Sequence, residues 1–69
     1  MTDVRDQISQ IIEDKAFKQS AIAKRAGMTP DLLCATLKKR RRLDANEFLM
    51  VCAAMGMTPE EVASYDKEG

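Results

Sequence analysis

Histidine is absent from this 69-residue chain. That removes the commonest zinc ligand and the commonest general base together. Two cysteines, Cys34 and Cys52, stand far apart. Without histidine they make no metal set, and they read as small buried or half-buried hydrophobes, not as a disulfide. Glycine is scarce, with three residues in all, and no Gly-rich phosphate loop can be drawn from them. No nucleophile stands beside a base, no paired carboxylates suggest a cleft, and Cys34 has no recognisable catalytic partner. The expectation is a protein without enzymatic activity, cofactor, metal or small-molecule ligand. No apolar run approaches the roughly 18 residues of a membrane helix. No apolar signal segment precedes the rest, so the chain is expected to be cytoplasmic, away from membranes.

What is present suits one small helical domain. A chain of this size buries only about 60 % of its unfolded surface, so modest stability is expected. Its hydrophobic fraction of 45 %, with three aromatics, fits a compact core of Leu, Ile, Met, Val and Ala. The net charge is zero, but the charges are not interspersed. Residues 1–17 carry −2, residues 18–42 carry +7 and residues 43–69 carry −5. Positive charge gathered in the middle of the chain is what a face that meets phosphates requires. The acidic remainder is expected to keep the molecule soluble and to repel phosphates from its other side.

The positive third contains the most informative stretch, residues 19–37, QSAIAKRAGMTPDLLCATL. Ile22, Ala23 and Ala26 share a face at helical spacing, and Leu33 and Leu37 repeat the pattern after a corner. Gly27 can adopt positive φ without steric cost and ends the first segment. Thr29 offers a capping hydroxyl, and Pro30 fits the first helical position, where no N–H is needed. A small Ala23 permits close approach of the two helices. These features predict a helix-turn-helix.

Gln19, Ala23, Gly27, Met28 and Leu33, followed by KKRRRLDANEFLMVCAAMGMTPEEV, resemble the phage-repressor-like (Xre/Cro/C1-type) helix-turn-helix family. The likeness spans residues 7–63. It implies an all-α fold, a five-helix phage-repressor-like DNA-binding domain with the helix-turn-helix at the second and third helices. The chain departs from the family pattern at three positions. Lys18 replaces the usual Thr, Ser or Asn cap, which weakens the start of the second helix while adding a charge. Thr36 stands where the family buries an aliphatic residue, which is expected to loosen the core. Lys39 stands where a Gly often ends the third helix, so that helix is expected to run on or end differently.

In order, the first helix is expected from Asp3 to Lys15, with Val4, Ile8, Ile11 and Ile12 inward and Asp3 and Asp6 at its positive end. Phe17 plugs the core beneath the second helix, Gln19 to Ala26. The third helix runs from Pro30 to Lys38. The fourth follows its cap Asp44, with Glu47 completing a capping box, and ends at Met55. Phe48, Val51, Cys52 and Met55 form its buried stripe, with Met50 and Ala54 nearer the opposite face. Gly56-Met57-Thr58-Pro59 repeats the corner chemistry of Gly27-Met28-Thr29-Pro30. Thr58 and Glu61 then open a fifth helix with Val62 inward. Residues 1–69 form one domain, its core about 3–64 and its tail 65–69 frayed.

With Leu33, Thr36 and Leu37 turned inward, Asp31, Leu32, Ala35 and Lys38 or Lys39 point outward, and the resemblance places that outward side in the major groove. Leu32 and Ala35 suit a thymine methyl and Asp31 a cytosine amino group, but no Arg, Asn or Gln is there for bidentate base contact. Lys18, Gln19, Ser20 and Thr29, with the amino ends of the second and third helices, are expected on the backbone. The run Lys38, Lys39, Arg40, Arg41 and Arg42 is expected on phosphates. Double-stranded DNA is the expected partner, bound by a small bacterial or phage-encoded, nucleoid-associated repressor. It is a possible homodimer, at least on DNA, through the fifth helix or the Met50 side of the fourth. The alternatives are an accessory DNA-binding component of a larger assembly, antitoxin-like or a recombination factor, and a helical module whose basic stretch meets an acidic protein.

Overall fold

A computed structural model describes residues 3–65. It contains α1 (Val4–Asp14), α2 (Gln19–Arg25), α3 (Pro30–Leu37), α4 (Ala45–Met55) and α5 (Pro59–Ala63). There are no strands among the described residues.

Local chemistry accounts for most of the helix starts. Asp3 caps α1 by accepting from the Arg5 N–H at 2.9 Å. Thr29 caps α3 by accepting from the Leu32 N–H at 3.1 Å. Asp44 with Glu47 and Thr58 with Glu61 form the two capping boxes that open α4 and α5. Only α2 starts on a residue, Lys18, whose side chain makes no capping hydrogen bond.

Four helix ends use one device, a residue at positive φ that turns the chain: Ala16 (55°), Gly27 (74°), Lys39 (64°) and Gly56 (70°). Each is followed by the pair of backbone bonds of a Schellman motif. After α3, the Arg40 N–H reaches Ala35 O at 2.8 Å and the Lys39 N–H reaches Thr36 O at 3.0 Å. Thus Lys39 takes the glycine conformation itself, and α3 stops at Leu37 without running on.

The core joins Ile8 and Ile11 of α1, Ile22 and Ala23 of α2, Leu33 of α3, Val51, Cys52, Ala54 and Met55 of α4, and Val62 of α5. Burial of this kind is the main favourable term for a domain so small. Ala54, expected near the outer face, is buried. The reason is that α4 packs against both α2 and α5, so more of its circumference is covered than one stripe. Val4, Ile12, Leu37 and Phe48 are only partly buried.

Thr36 does not loosen the core. It is fully buried, and its hydroxyl donates to Leu32 O at 2.8 Å and accepts from Arg41 Nη1 at 2.9 Å. Its polarity is therefore satisfied on both sides. Tyr65, grouped by sequence with the frayed tail, is held by its hydroxyl donating to Asp14 Oδ2 at 2.7 Å. The rest of that tail, residues 66–69, lies outside the described residues.

Candidate nucleic-acid interface

α3 is packed on one side by α1 and on another by α2. That leaves the line Asp31, Ala35 and Lys38, spaced for one helical face, turned to solvent together with Leu32. Asp31, Leu32 and Lys38 are exposed and Ala35 is half-buried. Leu32 keeps 42 % of its surface accessible, although nothing inside the domain needs it there. Asp31 sits in the first turn of α3, where the helix dipole offsets its charge. Cys34, half-buried, borders the same face. Its offset of one from Ala35 is the sole sequence signal for that position.

The loop after α3 is not a free solvated run. Its backbone is tied to α1 by Arg5 Nη1, which donates to Arg41 O at 3.0 Å. Lys39 Nζ pairs with Asp6 Oδ2 at 3.0 Å and stands 4.0 Å from Asp3 Oδ2. Arg41 reaches back to Thr36 on α3 and forward to Glu47 Oε2 on α4, at 3.0 Å. Leu43 packs on the core. Odd-numbered residues of the loop are thus committed to the domain. The even-numbered Lys38, Arg40 and Arg42 are exposed, with no ion-pair partner among the described residues.

Arg5 in turn is clamped to Asp3 by two hydrogen bonds from Nε, at 3.0 and 3.1 Å, and one from Nη2 at 2.6 Å. The guanidinium of Arg5 holds the Asp3 carboxyl down at about 2. Asp3, Arg5 and Asp6 therefore shape the basic loop without belonging to it. These partners lie 33 and 36 residues away in the chain, beyond any local signal. Glu47 was legible as half of a capping box, and its second bond to Arg41 was not.

The remaining predicted site residues lie at the joints of the helix-turn-helix. Lys18 and Ser20 are exposed and Gln19 half-buried at the start of α2. Thr29 is exposed, but its hydroxyl is engaged as the α3 cap. No group of three or more His, Cys, Asp or Glu among the described residues could hold a metal ion. No described helix is long and apolar enough to cross a membrane.

No curated protein and no solved structure matches the chain. The profile of the Cro/C1-type HTH DNA-binding domain does match it, over residues 7–68. With that span covering nearly the whole sequence, and with five helices in the order the resemblance implied, the chain belongs to the Cro/C1-type helix-turn-helix DNA-binding domain family.

Proposed function

We infer that the protein is a sequence-selective regulator of transcription that binds double-stranded DNA and represses by occupying an operator. α3 enters the major groove with Asp31, Leu32, Ala35 and Lys38 towards the bases, while Arg40 and Arg42 neutralise phosphates beside it. Lys18, Gln19 and Ser20 meet the neighbouring backbone. The observation that carries this reading is the pinned loop. Three cations are held outward, immediately after an exposed helix, by partners that commit the cations between them. A preorganised cationic edge loses little conformational entropy on binding.

The groove face carries few hydrogen-bonding groups. Discrimination between sequences then rests on methyl contacts from Leu32 and Ala35, on Asp31 with cytosine, and on DNA shape. The chemistry is one of binding, without catalysis, in the bacterial or phage-infected cytoplasm. Selection of sites from a random duplex pool tests the reading. An enriched sequence that disappears on Leu32→Ala and Asp31→Ala, with binding abolished by Arg40→Glu combined with Arg42→Glu, is the expected result. A pool that emerges unchanged, or binding indifferent to the two charge reversals, overturns it.

A further inference from the structure

Lys39 and Arg41 are both paired inside the domain, but the two pairings differ in kind. Arg41 is half-buried. It bonds the buried Thr36 hydroxyl at 2.9 Å and Glu47 Oε2 at 3.0 Å, and Glu47 keeps only 20 % of its side chain accessible. Lys39 Nζ meets Asp6 Oδ2 at 3.0 Å in the open, with 46 % and 56 % of the two side chains accessible. Its second neighbour, Asp3 Oδ2 at 4.0 Å, is already held by Arg5 at 2.6 Å. An ion pair so exposed is screened by water and salt and is weak. A guanidinium bonded on two sides resists removal, whereas an ammonium on a long flexible stem takes any anion within its reach.

The backbone does not depend on the Lys39 pair. The Lys39 and Arg40 N–H groups close the end of α3 on Thr36 O and Ala35 O, and Arg5 Nη1 anchors Arg41 O at 3.0 Å. Both sets of bonds remain when the ammonium moves. Lys39 can therefore change its anion by side-chain rotation alone, between the exposed cations Lys38 and Arg40. Duplex DNA presents about one phosphate charge per 1.7 Å of its axis, and its condensed counterions are released when a lysine replaces them. A single exposed carboxylate offers Lys39 neither that density of charge nor that release of ions.

We propose that Asp6 sets the affinity of this domain for DNA as an internal competitor, holding Lys39 in the free protein and yielding it to a backbone phosphate in the complex. Lys39 then joins Lys38, Arg40 and Arg42 on the duplex, while Arg41 stays with Thr36 and Glu47. Asp6 lies outside both the outward side of α3 and the basic loop. It sits in the first turn of α1, where the helix dipole alone would favour an acidic residue. The proposal rests on the DNA-binding reading above and adds to it a residue that lowers affinity.

A double-mutant cycle of Asp6→Asn and Lys39→Gln tests it, by fluorescence anisotropy on one duplex at several salt concentrations. Both positions are exposed, and unchanged helical circular dichroism verifies the fold of each variant. Asp6→Asn is expected to tighten binding roughly two- to five-fold at low salt, the worth of an exposed pair. Lys39→Gln should weaken binding and lower the magnitude of the slope of log K against log salt by about 0.9, as one lost phosphate contact does. With Lys39→Gln already present, most of the gain from Asp6→Asn should vanish. Equal gains in both backgrounds mean that Asp6 merely repels phosphates, and they overturn the competition. Affinity unchanged by Asp6→Asn overturns it too, as does a salt slope untouched by Lys39→Gln, which leaves Lys39 with Asp6 in the complex. A native protein that binds no duplex removes the DNA-binding reading itself, and the proposal with it.

Discussion

The fully buried Thr36 hydroxyl accepts a hydrogen bond from Arg41 Nη1 at 2.9 Å while donating its own proton to Leu32 O at 2.8 Å. One side chain thereby links the outward helix to the basic loop that follows it. Because Arg41 spends its second nitrogen on Glu47, its charge is balanced inside the domain. Arg40 and Arg42 have no such partner among the described residues.

The salt dependence of DNA binding should therefore distinguish neighbours in the loop. Each phosphate left without its cation lowers the magnitude of the slope of log K against log salt by about 0.9. Arg40→Gln and Arg42→Gln are expected to give a change of that size each. Arg41→Gln should move the slope less, while costing up to about 1 kcal/mol of stability, as partly exposed ion pairs do. Titrations of one duplex at several salt concentrations, read by fluorescence anisotropy, make the comparison.

Ala16 and Lys39 occupy the conformation that glycine holds at the other two corners. A side chain there carries a steric cost of roughly 1 kcal/mol. Ala16→Gly should accordingly raise the unfolding free energy by about 0.5–1 kcal/mol in urea denaturation. Lys39→Gly should gain less, because it also removes the pairings with Asp6 and Asp3. Gly27→Ala should go the other way, straining φ and crowding the Met50 methyl at once.

These corners also show where sequence reading stops. Gly27 and Gly56 announce themselves, and the Thr-Pro pairs after them fix the starts of α3 and α5. Ala16 carries no such signal, and Lys39 is marked only by the resemblance, which puts a Gly at its position, although both adopt the same geometry. The five helices, the Ile8–Ile11 stripe and the exposed side of α3 followed from spacing and capping alone. The internal commitments of Lys39 and Arg41 did not, because their partners Asp6 and Glu47 reach them through the tertiary fold. Ala54 was misplaced for a related reason: periodicity identifies a buried stripe but not how many neighbours surround the helix.

Acid should weaken the N-terminal tether in a defined window. Arg5 holds the Asp3 carboxyl at about 2 in place of the ordinary 3.8. A group whose acidity is strengthened by folding contributes stability above its unfolded value. That contribution is lost as pH falls from 3.8 through about 2. The unfolding free energy should then decline over this interval more steeply in the native protein than in Asp3→Asn, which keeps a capping oxygen but has no proton to take up. Carboxyl chemical shifts followed by NMR would place the Asp3 midpoint directly. A midpoint near 3.8 contradicts the clamp.

Lys18 offers a test of whether stability has been exchanged for charge at this surface. It stands at the amino end of α2 in extended conformation and makes no side-chain cap, which leaves that end without the bond that Ser, Thr or Asp supplies. Lys18→Ser restores an acceptor for the second or third N–H and should stabilise the domain by about 1 kcal/mol. It also removes one positive charge from the region proposed to meet the DNA backbone. Affinity for duplex should fall at low salt, with the difference narrowing as salt is raised. Thermal denaturation and anisotropy on the same two proteins read both effects. Opposite signs mean that lysine is kept here for its partner and against the needs of the helix. A variant that is more stable and binds equally well would take Lys18 out of the interface.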